Sequence, residues 1–260
     1  MKTIKNYGKN LSNSMKNSLE KDWGNVWELE EIKEITEKAP FDKVVSDILS
    51  KYQKGSRVLD AGSGLGKWVF NWQRKGYQAY GIDIVFEAVK RSREYAKKNN
   101  LDCQFLVGDV RKMPFSDNFF DFIFSYGTIE HFPESPQAIK EFCRVLKEGG
   151  TCLVTTPNVY SVRTFLTRPI LKILKNPQLG YQGYEKSFTP KKLFKMMEKV
   201  GFKELKCGIL PDGILLGDFY KFIPLLGKYL SLLPKKISFW VENHQSILGH
   251  TSYCIGVKTG

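Results

Sequence analysis

The stretch RVLDAGSGLGKW, residues 57–68, is a short apolar run that reaches Asp60 and then enters three glycines at alternate positions, Gly62, Gly64 and Gly66. An apolar run followed by a glycine-rich turn predicts a buried strand that leads into a helix. Glycine in such a turn lets a ligand or another backbone segment approach closely. The stretch therefore predicts an α/β sheet with a ligand site at the end of its first strand.

The spacing of these glycines does not fit two common nucleotide-binding patterns. In the dinucleotide pattern GxGxxG, counted from Gly62, the third glycine would fall on Lys67. The phosphate-loop pattern fails as well, because no Gly-Lys pair stands at the required distance from Gly62 and Trp68 replaces the hydroxyl residue. Asp60 would repel a pyrophosphate but attract a ligand that carries ammonium and sulfonium charges.

The rest of the chain alternates strand-like and helix-like segments after residue 55. The strand-like segments are 57–62, 77–83, 103–109, 119–125, 151–158, 202–210 and 252–258. Helix-like segments follow the first, second, fourth and fifth of these, the last beginning with Thr189 as its cap and Pro190 at its first position. This order predicts a doubly wound, mostly parallel sheet with helices on both faces.

Length and charge limit the possible functions. The chain has 260 residues, of which 42% are hydrophobic, enough for one α/β core with appendages. Lys and Arg outnumber Asp and Glu by 40 to 27, which gives a net charge of +13. Acidic substrates, nucleic acid and an anionic membrane surface are all admissible partners.

Cysteine usage and the N-terminal sequence predict a cytoplasmic protein. The five cysteines are odd in number, widely spread and form no CxxC pair, which favours reduced thiols. The polar, Asn-rich first 18 residues lack the apolar stretch of a secretion signal.

We divide the chain into an N-terminal tail with lid helices, residues 1–54, and one ligand-binding domain, residues 55–260. Trp23 and Trp27 lie on one face of the helical pattern before the first strand, and we expect this helix to close over the site. Two insertions, at about 159–187 and 211–249, follow parallel strands and should form caps above the crevice.

The second cap leaves two alternatives open. Lys221, Lys228 and Lys235 recur at heptad spacing among aliphatic and aromatic residues. The segment either packs its apolar face inward or lies on an anionic membrane surface, which would place the protein peripherally at the inner membrane face. Nucleic acid is less favoured, because the basic residues alternate with aliphatic side chains.

Four blocks in sequence order resemble the class I S-adenosylmethionine-dependent methyltransferases, in particular the methyltransferase type 11 and quinone-biosynthesis-like group. They are VLDAGSGLG at 58–66, YGIDI at 80–84, FLVGDVRKMPFSDNFFDFIFSYGTIEHF at 105–132 and RVLKEGGTCLVTTPN at 144–158. Together they cover about the central hundred residues. The resemblance implies a seven-stranded Rossmann-like sheet, S-adenosyl-L-methionine as cofactor and methyl transfer as the reaction.

The same blocks supply a predicted cofactor site. A carboxylate at Asp83 can accept hydrogen bonds from two vicinal ribose hydroxyls, and Ile84 offers an apolar face to the purine. Asp109 is similar to the acid that binds the adenine amino group, with the Val110 N–H directed at the ring. The carbonyls of Ser125 and Tyr126 are expected to hold the methionine ammonium group. The predicted cofactor-binding residues are Asp60, Gly62, Ser63, Gly64, Gly66, Asp83, Ile84, Asp109, Val110, Ser125 and Tyr126.

The catalytic candidates follow the fourth strand. His131 is the candidate general base, Tyr126 is a second candidate, and packing remains an alternative role for His131 and the adjacent Glu130. Some quinone-pathway and small-RNA methyltransferases carry a similar ExxEH arrangement that holds a metal. Here Gly127 takes the place of the first carboxylate, so no metal is predicted.

The predicted function is methyl transfer to a small-molecule or lipid-like acceptor, with the choice among oxygen, carbon and nitrogen nucleophiles left open. Two alternatives remain: an RNA or protein methyltransferase, and a methyltransferase-fold protein that binds without turnover. The oligomeric state has no signal in the sequence.

Overall fold

The structure is a computed structural model that describes residues 23, 24, 27, 32, 40–161, 164, 184–210 and 249–260. Its centre is a seven-stranded sheet in the order β3-β2-β1-β4-β5-β7-β6. The strands are β1 (Arg57–Ala61), β2 (Gln78–Asp83), β3 (Gln104–Val107), β4 (Phe120–Tyr126), β5 (Leu146–Pro157), β6 (Phe202–Leu210) and β7 (Thr251–Lys258). Only β7 runs antiparallel to its neighbours, which confirms the predicted seven-stranded, mostly parallel sheet.

Helices cover both faces of this sheet. They are α1 (Pro40–Leu49), α2 (Lys67–Arg74), α3 (Phe86–Lys98), α4 (Ser135–Val145) and α5 (Pro190–Lys199), with a 3-10 turn at Ile129–His131. The first three pack their apolar residues into one core, and α4, α5 and the 3-10 turn pack into a second core on the opposite face. This three-layer arrangement is the doubly wound fold that the alternating pattern predicted.

Local sequence explains where two of the helices form. In α2 the buried face consists of Trp68, Val69 and Trp72 with their neighbour Phe70, so tertiary packing stabilises this short helix. In α5 the Thr189 side chain accepts a hydrogen bond of 3.1 Å from the Lys192 N–H, with proline in the first turn. The predicted cap is therefore confirmed.

The strand directions decide which residues meet at one edge. The parallel strands β1 and β2 end side by side, with Ala61 opposite Ile82, and Asp83 lies opposite Val107 of β3. Because β7 runs in the opposite direction, its first residue, Thr251, reaches the same edge and pairs with Pro157 at the end of β5. The ends of β1, β2, β4 and β5, the loop after β3 and the start of β7 therefore meet at one crevice.

The cysteines differ from the sequence prediction. Cys207 of β6 lies directly opposite Cys254 of β7, and the structure joins the two as a disulfide across the antiparallel pair. Cys103, Cys143 and Cys152 are free. The prediction of reduced thiols was wrong for Cys207 and Cys254. These residues are 47 positions apart in the chain, and the register that places them opposite each other is set by the tertiary pairing of β6 with β7.

Most of the two predicted caps, and the lysines at positions 221, 228 and 235, lie outside the described residues. The ends of β5 and β6, from which these segments emerge, do lie at the carboxyl edge of the sheet, as expected. Among the helices that the structure describes, none is long and apolar enough to cross a membrane.

Candidate active site

A cavity of about 590 Å³ opens at the carboxyl edge of the sheet. Its wall contains the glycine turn after β1, the ends of β2, β4 and β5, the loop after β3, and two N-terminal tryptophans. Its volume falls within the range of roughly 300–1,000 Å³ that small-molecule sites occupy. The crevice position is the one that open α/β sheets use for ligands.

The glycine turn is shaped by backbone conformation and by close contacts. Gly62, Gly64 and Gly66 have φ angles of 91°, 49° and 77°, in the left-handed region that favours glycine. A Cβ atom at Gly62 would collide with the Thr128 side chain, and one at Gly64 would lie 2.8 Å from the Trp27 ring. The turn therefore requires glycine both for its path and for its neighbours.

The N–H groups of this turn are engaged by the protein itself. Those of Gly62 and Ser63 donate to the Ile82 carbonyl at 2.8 and 3.1 Å, and that of Gly64 donates to Asp83 Oδ2 at 2.8 Å. These bonds fix the turn against β2. The turn therefore lets a ligand approach its backbone closely but does not offer these N–H groups to a phosphate. This agrees with the mismatch between the sequence and the two phosphate-binding patterns.

Two buried carboxyl groups lie at the floor of the cavity. Asp83 accepts N–H bonds from Gly64 and, at 2.9 Å, from Val85. Burial raises its pKa, although these N–H bonds oppose the rise. Burial raises the pKa of Asp60 to about 8, with a further contribution from the charge of Asp83 and an opposing one from Lys67. A cationic ligand group would stabilise the ionised form of Asp60.

The third predicted acid is held in place by an ion-pair network. Arg111 donates to both Asp109 oxygens, at 3.0 and 3.1 Å from Nε, and its other end lies 2.5 Å from Glu134. The guanidinium also lies over the Phe132 ring at 5.0 Å. Asp109 is thus oriented at the cavity wall beside Val110.

The opposite wall is formed by the 3-10 turn and the segment around residue 185. Lys186 N–H donates to the Glu130 carbonyl at 2.9 Å, and His131 Nδ1 lies 3.3 Å from the Tyr184 carbonyl oxygen. A carbonyl only accepts, so Nδ1 carries a proton in this contact. Glu130 and His131 are both buried, with 2% and 9% of their surface exposed.

Aromatic side chains of the N-terminal segment complete this wall. The rings of Trp23 and Trp27 stack with centroids 5.4 Å apart, and Trp23 meets the His131 ring edge-on at 5.1 Å. Arg91 donates to the Trp27 carbonyl. The tryptophans therefore lie over the glycine turn and beside the candidate base, where a lid was expected.

The structure brings almost all predicted site residues to this cavity. Those on its wall are Asp60, Gly62, Ser63, Gly64, Gly66, Asp83, Ile84, Asp109, Val110, Tyr126 and His131. Ser125 is the exception: it is fully buried inside β4, one residue before the strand ends, and is not part of the wall.

Sequence reasoning missed several residues on the acceptor side of the wall. They are Thr155, Thr156, Glu185 and Thr251. The end of β5 could have been found by the rule that parallel strands end at one edge. The residue at the start of β7 could not, because its position depends on that strand being antiparallel. In the described part of the chain, no group of three or more His, Cys, Asp or Glu side chains is placed to hold a metal ion.

Comparison with known proteins identifies the central domain. Residues 59–154 match the family model described as a methyltransferase domain. A malonyl-[acyl-carrier protein] O-methyltransferase of Hamiltonella defensa is 30% identical over 159 residues, 59% of this chain and 60% of the relative. The ubiquinone/menaquinone biosynthesis C-methyltransferase UbiE of Dinoroseobacter shibae is 29% identical over 177 residues, 61% of this chain and 70% of the relative. The chain thus spans less than two thirds of the first of these relatives.

Solved structures agree on the fold. Phosphoethanolamine N-methyltransferase 2 of Haemonchus contortus, solved with S-adenosyl-L-methionine, superposes with a TM-score of 0.61 at 20% identity over 84% of this chain and 53% of that chain. The PH0226 protein of Pyrococcus horikoshii gives a TM-score of 0.55 at 19% identity over 90% of this chain and 99% of that chain. The resemblance to class I methyltransferases drawn from the four sequence blocks is confirmed.

Proposed function

We propose that the methyltransferase domain at residues 59–154, with the segments that close its cavity, transfers a methyl group from S-adenosyl-L-methionine to a small organic acceptor. One observation carries this proposal. Asp60 and Asp83, at the ends of β1 and β2, and Asp109, just after β3, line one cavity together with a glycine turn whose own N–H groups are already bonded. The site suits a ligand that has hydroxyl and cationic groups.

The residues on the wall fit the parts of this cofactor. Asp83 has lone pairs beyond the two used by Gly64 and Val85, which suits vicinal ribose hydroxyls. Asp109 and the adjacent Val110 N–H are placed for a purine edge. The buried carboxyl of Asp60 suits the ammonium group of the methionine part, because a neighbouring cation offsets the cost of ionising a buried acid.

The chemistry asks little of the protein beyond alignment and exclusion of water. The bound sulfonium supplies an activated methyl group. The chain must place the acceptor atom in line with the methyl–sulfur bond and keep water away, which Trp23, Trp27 and the 3-10 turn are positioned to do. His131 Nε2 can accept a proton from the acceptor, since Nδ1 is committed to the Tyr184 carbonyl. Tyr126, at the end of β4, stays a second candidate for contact with the acceptor.

A small acceptor is favoured by the cavity volume of about 590 Å³ and by relatives named for phosphoethanolamine and for ubiquinone/menaquinone biosynthesis. We further propose a lipid-like acceptor and contact with an anionic membrane surface, and both proposals depend on the second cap. An RNA or protein acceptor is the alternative enzyme proposal. A binding protein without turnover is the competing proposal, and the fit of His131 favours the enzyme.

The proposed location is the cytoplasm, based on the free thiols of Cys103, Cys143 and Cys152. An oxidising compartment is the competing proposal, because the structure joins Cys207 and Cys254 as a disulfide. Thiol titration of protein isolated from its source cells would distinguish the two locations.

Calorimetry and a transfer assay test the proposed function. The protein should bind S-adenosyl-L-methionine and S-adenosylhomocysteine saturably, and NAD should not compete. Tritium from the labelled methyl group should then appear in a small-molecule or lipid fraction rather than in the RNA or protein fraction. Tight binding of NAD with no response to S-adenosyl-L-methionine would refute the proposal, and cofactor binding without transfer to any fraction would favour the binding protein.

A further inference from the structure

The described wall of the cavity is acidic, whereas the chain as a whole is basic. The whole chain carries +13, yet five carboxyl side chains and two Lys or Arg side chains line the cavity. Of the two cations, Arg111 is held between Asp109 and Glu134. The other, Lys67, lies over the Trp68 ring, with 5.3 Å from Nζ to the centroid. The described wall is therefore acidic within a basic protein.

The carboxyl groups fall into two sets. Three of them, at the ends of β1 to β3, account for the cofactor in the proposed function. The other two, Glu130 and Glu185, belong to the opposite wall, and the hydrogen bonds from Lys186 to Glu130 and from His131 to Tyr184 hold their two segments together. The acceptor half of the cavity thus has an acidic wall of its own.

Aromatic rings in this half also suit a nitrogen cation. The electron-rich ring of Trp23 beside His131, and that of Tyr126 at the mouth, can stabilise a cation by cation–π contact.

From this arrangement we infer that the acceptor is an amine, which enters as its ammonium form and is held by Glu130, Glu185 and the aromatic rings. The inference rests on the proposed methyl transfer and names its substrate class. Acceptors that carry a carboxylate or phosphate next to the reacting atom are disfavoured, because the acidic wall repels them.

The reaction then follows from the positions of these groups. His131 Nε2 takes a proton from the ammonium and frees the nitrogen lone pair. The nitrogen forms a bond to the methyl carbon while the methyl–sulfur bond breaks, and the electron pair of that bond stays on sulfur to give S-adenosylhomocysteine. The product is a methylated ammonium, whose positive charge replaces that of the sulfonium, and the imidazolium returns its proton to solvent.

A matched series of probes tests the inference on the full chain saturated with S-adenosylhomocysteine. Benzylamine, benzyl alcohol and benzoate share one ring and differ in charge. Calorimetry should show that benzylamine binds at least about tenfold more tightly than benzyl alcohol, and that benzoate binds more weakly than either. Turnover of benzylamine with S-adenosyl-L-methionine should yield N-methylbenzylamine by mass spectrometry.

Three glutamine variants separate the cavity wall from general charge effects. Glu185→Gln and Glu130→Gln should each weaken benzylamine binding about tenfold and leave benzyl alcohol and S-adenosylhomocysteine binding unchanged. Glu198→Gln, the same change at an exposed position of α5 outside the cavity, should change nothing. If the Glu130→Gln variant does not fold because Glu130 is buried, the Glu185→Gln variant tests the inference by itself, since Glu185 is partly exposed.

Benzylamine that binds no better than benzyl alcohol, or not measurably, overturns the inference, as does unchanged benzylamine binding in Glu185→Gln. These outcomes leave the proposed function standing as long as S-adenosylhomocysteine binds. A native protein that does not bind S-adenosylhomocysteine refutes the proposed function itself, so the two failures are distinguishable.

Discussion

Asp60 provides the sharpest test of the cofactor site, because its carboxyl group should change charge when a ligand binds. The side chain is 2% exposed, and burial raises its pKa to about 8. In the free protein at pH 7 the group therefore holds a proton. A bound ammonium group favours the carboxylate and lowers the pKa, so binding should release the proton.

The size of the effect follows from that pKa. A carboxyl group with a pKa of about 8 is about 90% protonated at pH 7, so full ionisation on binding releases about 0.9 proton. If only the ionised form binds the ligand, affinity should rise about tenfold from pH 6 to pH 7 and level off above about pH 8. Asp60→Asn removes the ionisation, and with it both the proton release and this part of the pH dependence.

Calorimetry with S-adenosylhomocysteine at pH 7, in buffers of different ionisation enthalpy, measures the released proton directly. Any proton that the ligand itself releases is the same for the native protein and for the Asp60→Asn variant. The difference in proton release between the two proteins therefore comes from Asp60. Asp121→Asn is the control: this carboxyl group lies near the opposite end of β1, where it accepts from Arg57 and Lys147, and its loss should leave proton release unchanged. Equal proton release in the native protein and Asp60→Asn would refute the reasoning.

The same pKa makes a prediction about stability. Between the ordinary carboxyl pKa of 3.8 and about 8, the folded state keeps a proton that the unfolded chain has lost. The free energy of unfolding should therefore fall as pH rises through this window, by an amount on the order of a few kcal/mol. Urea unfolding of the ligand-free protein at pH 6 and pH 8 should show a smaller fall for Asp60→Asn than for the native protein.

Three further substitutions test the rest of the site. Asp83→Ala removes the acceptor for two backbone N–H groups and for the ribose, so calorimetry should show cofactor binding weakened by about 1–3 kcal/mol, and an unchanged affinity would exclude this role. Gly62→Ala places a Cβ atom against Thr128 at a φ of 91°, and should abolish cofactor binding and lower the melting temperature; a fully active variant would contradict the described turn. Trp27→Ala should speed dissociation of S-adenosylhomocysteine in stopped-flow measurements and abolish ligand-induced protection from hydrogen exchange in residues 19–38. Unchanged dissociation and exchange rates would mean that this segment has only a packing role.

The cofactor half of the site could be read from the sequence because it is built from consecutive βα units. Each unit brings the end of its strand to the same edge, so Asp60 and Asp83, within the last two residues of β1 and β2, converge with Asp109, which follows β3. Ser125 shows the limit of this rule. Ser125 lies one residue before the end of β4, as Asp60 does in β1, but Ser125 is fully buried and is not part of the cavity wall.

The start of strand β5 and the pairing of Cys207 with Cys254 could not be predicted from local sequence patterns. The sequence predicts that the fifth strand begins at Thr151, but it begins at Leu146, which pairs with Phe120 across an irregularity in β4. The glycines at positions 149 and 150 make the start of this strand hard to recognise in the sequence, because glycine has a low strand propensity. The opposition of Cys207 and Cys254 likewise depends on the register of β6 against β7, which no short-range signal records.

The acceptor half of the site has a different origin, and this bears on how its specificity arises. Its wall joins Trp23, the 3-10 turn, the end of β5, Glu185 and the start of β7, segments far apart in the chain. None of these is needed to form the glycine turn or to hold Asp83 against it. A substitution at Glu185 can therefore change the charge that the acceptor meets while the cofactor contacts stay the same. Such separation lets one sheet and one cofactor site serve acceptors of different chemistry, and it explains why motifs around residues 58–66 and 80–84 predict the methyl donor but not the methyl acceptor.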